Sequence, residues 1–290
     1  MAPTVSIVVP SYNNADFIEA TIDSILAQTY RDFELVIADH ASTDRTWDVI
    51  QRYGDDDRVT LLQTEAGGGA KRNWDRVSKA ASGTFVKLVC GDDLLYPTIV
   101  EQQVEAMLRN PAAVLAASPR SIVDANGRPI VSTRGLGGLR GLHAGSVAIR
   151  AAVRSGTNPF GEPACVLIRR SDLETADWWD SRWPYLIDQA TYTRLLLKGD
   201  LIGVGTEPLA AFRVSAGQWS VRLAQSQASA TTAYHGWLRS EHPEIVSGGD
   251  ARIGRARAYG NAAARRLAYL YLGRRMRAAA SAIDAPTNGS

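Results

Sequence analysis

The chain has 290 residues, 45% of them hydrophobic and 21% charged, with a formal net charge of +2. That composition is too apolar for a disordered chain and too charged for a polytopic membrane protein, and no run of about 18 apolar residues marks a spanning helix. Segment 251–280 holds eight arginines and no acid, so with the whole at +2 and this segment at +8 the remainder carries −6, the wrong distribution for a nucleic-acid-binding body.

The first 120 residues alternate strand-like and helix-like patterns. Val5-Ser6-Ile7-Val8-Val9 is a short β-branched run that reads as a buried strand stopped by Pro10. Asn13-Asn14-Ala15-Asp16 offers capping residues, and Phe17, Ile18, Ile22, Ile25 and Leu26 follow at helical spacing. Residues 33–38 read as a second strand with Asp39 at its carboxyl end, and Ser42-Thr43-Asp44 as a helix start. A third strand spans 59–62, the triple glycine 67–69 precedes a helix over 70–80, and a fourth strand spans 85–89 and ends at Gly91-Asp92-Asp93. Pro97 opens a helix to Arg109, and 113–118 reads as a strand. Alternation at this spacing predicts βαβ units and a largely parallel sheet, in which ligands bind beyond the carboxyl ends of the strands. Ser11, Tyr12, Asn13, Asp39, Asp92 and Asp93 all lie at such ends.

Beyond residue 120 the pattern loosens. The glycine-rich stretch 133–145 predicts a mobile loop, 164–169 a strand, 185–198 a helix, 200–213 a final strand or hairpin, and everything from 221 an Ala- and Arg-rich helical segment.

Several chemistries are excluded by missing motifs. There is no GxxxxGK[ST], no GxGxxG between the first strand and first helix, no GxSxG and no HExxH, and the four histidines show no metal-ligand spacing. The two cysteines, Cys90 and Cys165, cannot build a four-cysteine zinc site or a disulfide framework, and no basic segment precedes the first apolar stretch. A cytoplasmic chain without a secretory signal is therefore expected. The carboxylates say more. Asp92 and Asp93 are adjacent at a tight turn, where like charges need compensation; a divalent cation on a diphosphate supplies it, and a solvated Gly-Asp-Asp turn is the plainer alternative.

Five elements in order resemble family 2 glycosyltransferases of the GT-A fold. They are Val5–Asn13 at the opening, Leu35-Val36-Ile37-Ala38-Asp39-His40-Ala41-Ser42-Thr43-Asp44 at the family's "DDGSTD", and Ala70-Lys71-Arg72-Asn73 at its "ARN". Ala80–Phe85 then matches "A-x-G-x-Y/F", and Cys90-Gly91-Asp92-Asp93 with Pro97 matches "DxDD…P". More weakly, Leu186-Ile187-Asp188-Gln189 resembles the "ED" element and Phe212-Arg213 the "YR". The resemblance implies a Rossmann-like mixed, mainly parallel α/β sheet flanked by helices. It implies a catalytic domain over 1–220, with a nucleotide-binding half (1–120) and an acceptor-binding half (121–220), followed by a helical basic extension over 221–290.

The resemblance also implies roles. Pro10, Tyr12, Asn13, Asp39, Arg72, Asp92 and Arg213 would bind the nucleotide, Asp92 and Asp93 a Mg²⁺ or Mn²⁺ bridging its phosphates, and Asp188 would be the general base of an inverting transfer. Asp177, Asp180 and Glu162 are other acids near the base. The donor implied is a nucleotide-sugar, a UDP-sugar as first guess, and the acceptor a glycan, lipid-linked or natural-product hydroxyl in cell-envelope or polysaccharide biosynthesis. Nucleic acid is not expected as a partner. Each role has a plainer alternative: Arg72 as a surface arginine, Asp188 as a helix-start residue favoured by the dipole, Arg213 as a solvated strand end. Three positions depart from the pattern: Cys90 replaces the first Asp of "DxDD", and His40 and Ala41 replace the second Asp and the Gly of "DDGSTD". A catalytically degenerate nucleotide-sugar-binding protein and a sugar nucleotidyltransferase are the rival readings. The latter wants a Gly-rich basic loop where Ser11-Tyr12-Asn13-Asn14 stands. The basic tail, with Ile253, Tyr259, Leu267, Tyr269 and Tyr271, suits peripheral contact with the inner face of a membrane or packing on the catalytic body.

Overall fold

Val5–Ser11 forms strand β1 with all seven residues buried, each large aliphatic side chain contributing about 1.5–3 kcal/mol on leaving water. β1 lies between β2 (Phe33–Asp39) and β4 (Phe85–Leu88), parallel to both, with β3 (Val59–Gln63) at the edge beyond β2. The strand runs through Pro10 rather than stopping there. The Ser11 carbonyl accepts from His40 N–H on the β2 side, and the Val8 carbonyl from Val89 N–H on the β4 side. Pro10 faces as Val8 does, and β4 ends opposite Val8, so its missing N–H forfeits no ladder bond.

The computed structural model describes residues 2–183, 185–214 and 224–264. The remaining elements are β5 (Leu94–Leu95), β6 (Ala113–Ala117), β7 (Arg120–Val123), β8 (Pro129–Arg134), β9 (Gly141–His143), β10 (Val166–Arg169), β11 (Asp200–Gly203) and β12 (Ala210–Arg213). Eight strands form one sheet in the order β3-β2-β1-β4-β10-β6-β11-β9, and β5-β12-β7-β8 form a second, smaller sheet. In the large sheet β10 runs antiparallel to β4 and β6, β6 and β11 are parallel, and β9 closes the edge antiparallel to β11. The expected mixed, mainly parallel sheet is therefore present, and the helices flank it: α1 (Ile18–Leu26), α2 (Thr46–Ile50), α3 (Gly69–Ala80), α4 (Ile99–Arg109), α5 (Gly145–Ser155), α6 (Arg170–Thr175), α7 (Ile187–Leu196), α8 (Ala224–Glu241) and α9 (248–264).

Where β4 meets the antiparallel β10, the core holds a polar joint. Lys87 is fully buried, and its Nζ donates to Gln103 Oε1 (2.8 Å) and to the Val166 carbonyl (3.2 Å). Burial lowers its pKa to about 7.

Several local expectations are corrected. Asn14 does not cap α1 with its side chain; its carboxamide oxygen accepts from Tyr12 N–H (3.0 Å) and shapes the loop after β1, while its carbonyl takes the N–H groups of Phe17 and Ile18. The glycine-rich stretch 133–145 contains the end of β8 and the whole of β9, and buries Leu136 and Leu139. Residues 200–213 form no hairpin: β11 joins the large sheet and β12 the small one.

The helical segment from 221 begins, in α8, as part of the body. Tyr234 and Leu238 join the single buried core that also holds β1 and β6. α9 then packs on α5 through Gly254 and Ala258, and Asp250 binds Arg150 (3.0 Å) and Arg154 (2.7 Å) across that contact. Arg252, Arg255 and Arg257 are exposed on α9, while Arg265, Arg266, Leu267, Tyr269, Tyr271, Arg274, Arg275 and Arg277 lie outside the described residues.

Candidate active site

The carboxyl ends of β1, β2 and β4 open on a cavity of about 580 Å³. Its first wall is Pro10, Tyr12, His40, Cys90 and the Asp92–Asp93 turn. The turn and the β1 loop touch so closely that a Cβ on Gly91 would stand 2.7 Å from Asn14 Oδ1 and would push that carboxamide aside. Tyr12 is 57% exposed and sets its ring edge-on to His40, whose Nε2 bonds the Gly67 carbonyl (2.9 Å).

The two carboxylates of the turn differ. Asp92 is half-buried and lines the cavity. Asp93 is 1% exposed, and its Oδ1 accepts from the Arg213 backbone N–H (3.2 Å). Burial and the neighbouring Asp92 and Glu162 carboxylates push the Asp93 carboxyl well up. The Cys90 thiol is likewise pushed well up, by burial and then by Asp93, Asp92 and Asp188.

The rest of the lining comes from residues far along the chain, a second wall that includes Arg120 and Ile122 of β7, Asn158 and Glu162 of the loop before β10, Asp188 of α7, and Thr231 of α8. Asp188 stands in the first turn of α7. Its Oδ1 accepts from Gln189 N–H (2.7 Å) and its Oδ2 from Asn158 Nδ2 (2.9 Å). Burial raises its pKa to about 6; the Gln189 N–H opposes that rise and Glu162 adds to it. Glu162 forms an ion pair with Arg120, whose Nη2 donates to Oε1 (3.0 Å).

The structure brings Pro10, Tyr12, Asp92, Asp93 and Asp188 to this one cavity. The other sequence candidates are occupied beside it. Asp39 accepts from Ser42 N–H (3.0 Å) and Oγ (2.5 Å), and Asn13 ties its loop to Thr43 N–H (2.8 Å). Arg72 pairs with Glu65 (2.8 Å) and donates to the Ala66 carbonyl (3.0 Å). Arg213 is 5% exposed and spends its guanidinium on the carbonyls of Asp92 (2.9 Å) and Ala125 (2.8 Å), which binds the small sheet to the Asp92–Asp93 turn. Arg120, Asn158, His40 and Thr231 were not named as site residues from sequence. Only His40, beside Asp39 in a recognisable element, carried a local signal. Among the described residues no three His, Cys, Asp or Glu side chains form a cage for a metal ion, and no helix is long and apolar enough to cross a membrane.

Residues 6–177 match the family model for glycosyl transferase family 2. The chain is 33% identical over 129 residues to the putative teichuronic acid biosynthesis glycosyltransferase TuaG of Bacillus subtilis, covering 44% of this chain and 51% of that one. It is 38% identical over 106 residues to the Escherichia coli UDP-Glc:alpha-D-GlcNAc-diphosphoundecaprenol beta-1,3-glucosyltransferase WfgD, covering 37% and 42%. The aligned regions thus span about half the length of these curated relatives. Among solved structures, S. aureus TarS 1–349 in complex with UDP-GlcNAc matches with a TM-score of 0.64 at 18% identity, over 82% of this chain and 67% of that one. The mannosyltransferase PcManGT from Pyrobaculum calidifontis, in complex with GDP-Man and Mn²⁺, matches with a TM-score of 0.59 at 22% identity, over 95% and 81%. These likenesses establish the GT-A fold, and with the family match covering more than half of its 290 residues the chain belongs to glycosyl transferase family 2.

Proposed function

We propose that the chain transfers a sugar from a nucleoside-diphosphate sugar to an acceptor hydroxyl with inversion, using Asp188 as general base. The observation that carries this reading is that Asp188 lines the same cavity as the Asp92–Asp93 turn. Inversion needs a base and a leaving-group site within one cavity, because the acceptor oxygen loses its proton as it attacks from the face opposite the departing phosphate. Asp188 is suited to the work. Its pKa of about 6 leaves it ionised near neutral pH yet basic enough to take a proton, and bonds from Gln189 and Asn158 fix its oxygens.

Tyr12 and Pro10 line the end of the cavity proposed for the nucleoside, with Asp39 buried at the end of β2 next to the lining residue His40. Arg72 and Arg213 support this reading through the loops they hold. Asp92, half-buried on the cavity lining, is the carboxylate whose position fits a Mg²⁺ or Mn²⁺, with the more deeply buried Asp93 beside it; a neutral Cys90 thiol is a poor ligand for a hard cation. One protein carboxylate completed by substrate phosphates is a common way of holding Mg²⁺. When bound, such a cation neutralises the leaving diphosphate. The relatives' names support UDP-sugars as first donors and a glycan or lipid-linked acceptor. A peripheral membrane position is supported by the exposed arginines of α9 with Ile253 and Tyr259 beside them.

Asp188→Asn is the direct test. Turnover is expected to fall by about 10²–10⁴-fold, the usual contribution of a positioned base, with nucleotide affinity unchanged. Full turnover in the variant would remove Asp188 from the role.

A further inference from the structure

The Arg120–Glu162 pair has no part in the chemistry described so far, yet both residues line the cavity. Glu162 lines the same cavity as Asp93 and Asp188, and its charge acts on both. In an inverting transfer resting on the reading above, the donor's sugar ring lies in that shared cavity, between leaving group and base.

The pair is a built feature. Arg120 is 4% exposed at the start of β7, so its guanidinium is held by the fold. Its Nη1 is buried without a hydrogen-bond partner among the described residues and packs against Gly161, at φ +93°, where a Cβ would come within 3.2 Å of that nitrogen and 2.8 Å of the Cys165 sulfur. Glu162 follows that glycine directly, and its side chain stays 28% exposed against the cavity. A carboxylate fixed by a buried arginine is an acceptor-only group in a defined place. Sugar hydroxyls are the donors that match it.

We propose that Glu162, oriented by Arg120, hydrogen-bonds hydroxyl groups of the donor's sugar and sets which sugar the site accepts. The chemical class it reads is a hexose with free hydroxyls on the face turned toward the loop 158–163. Asn158 of the same loop holds Asp188, so sugar contact and base position share one scaffold.

The test compares nucleotide with nucleotide-sugar. Calorimetric titrations of the wild-type protein with UDP, UDP-glucose and UDP-N-acetylglucosamine, and with GDP and GDP-mannose, in Mn²⁺, measure how much the sugar adds to affinity. Under donor-analogue conditions without acceptor, Glu162→Gln is expected to bind the nucleoside diphosphate within about twofold of wild type. It should lose about tenfold or more of the affinity the preferred sugar adds, as expected for a hydrogen bond to a charged group. Because Glu162→Gln leaves Arg120 uncompensated, the double variant Arg120→Met with Glu162→Met is measured as well. Apolar replacement of a buried ion pair commonly preserves stability, and this variant should keep nucleotide binding and lose the sugar increment. An unchanged sugar increment in a folded variant overturns the proposal while leaving the transferase reading intact. Equal losses for nucleotide and nucleotide-sugar also overturn it, by showing a purely structural pair. If no nucleotide binds the wild type, the transferase reading fails and this one falls with it.

Discussion

The wall of the cavity built by β1, β2 and β4 comes from adjacent ends of one parallel layer, within residues 10–93. The second wall gathers β7, the loop 158–163, α7 and α8, spread over residues 120–231. The first wall is held mainly by ladder pairing and by short bonds between neighbouring loops, such as Asn13 to Thr43 and Asp39 to Ser42. The second is held by long-range polar contacts: Arg120 to Glu162, Asn158 to Asp188, and Arg213 to the Asp92 and Ala125 carbonyls. Parallel strand ends make a generic crevice for a nucleotide, whereas a wall assembled from scattered side chains is where selectivity and proton transfer can vary without disturbing the sheet.

The difference can be tested from both sides. The largest effect is expected from pH. Asp188 must be ionised to accept a proton, and its pKa is raised to about 6 by burial. kcat/KM should therefore fall about tenfold per unit as pH drops below about 6, and a profile flat down to pH 4 would assign the base elsewhere. Next comes the clamp behind the second wall. Asp250 lies buried on α9 against the Arg150–Arg154 face of α5; burial alone would raise its pKa, but Ser247 and the two arginines hold the carboxyl well below its ordinary range. Asp250→Ala should cost about 1–3 kcal/mol in chemical denaturation at neutral pH. The sign follows from the lowered pKa: the stabilisation is complete above the ordinary value of 3.8 and is lost as pH falls below it, so wild type and variant should converge in acid. The smallest effect belongs to the first wall. Ala41 sits at φ +52°, a left-handed conformation that costs an alanine about 1 kcal/mol. Ala41→Gly should raise stability by up to about 1 kcal/mol, and a loss would show that the turn is not strained.

The first wall was readable from sequence because its strands are short β-branched runs and its polar residues follow them immediately. Asp92, Tyr12 and Pro10 each sit within four residues of a recognisable strand end. Arg213 was named for a phosphate-binding role, but its neighbours in space, Asp92 and Ala125, are invisible in the local pattern. The same limit hid Arg120, whose partner lies 42 residues away, and Asn158, 30 residues from Asp188. The Pro10 boundary failed for a topological reason, since where β4 ends decides whether a proline is tolerated in β1. The glycine-rich stretch 133–145 failed because its strands depend on pairing with β7 and β11, which no local propensity reports.

The most direct measurement is calorimetric titration of the full chain with UDP, GDP and dTDP, with and without Mn²⁺, on wild type and on Asp92→Asn and Asp188→Asn. The account predicts that one nucleotide binds at least about tenfold tighter with Mn²⁺, that Asp92→Asn abolishes this metal dependence, and that Asp188→Asn leaves it intact. Binding that ignores both Mn²⁺ and Asp92, or no binding of any nucleotide, would contradict it.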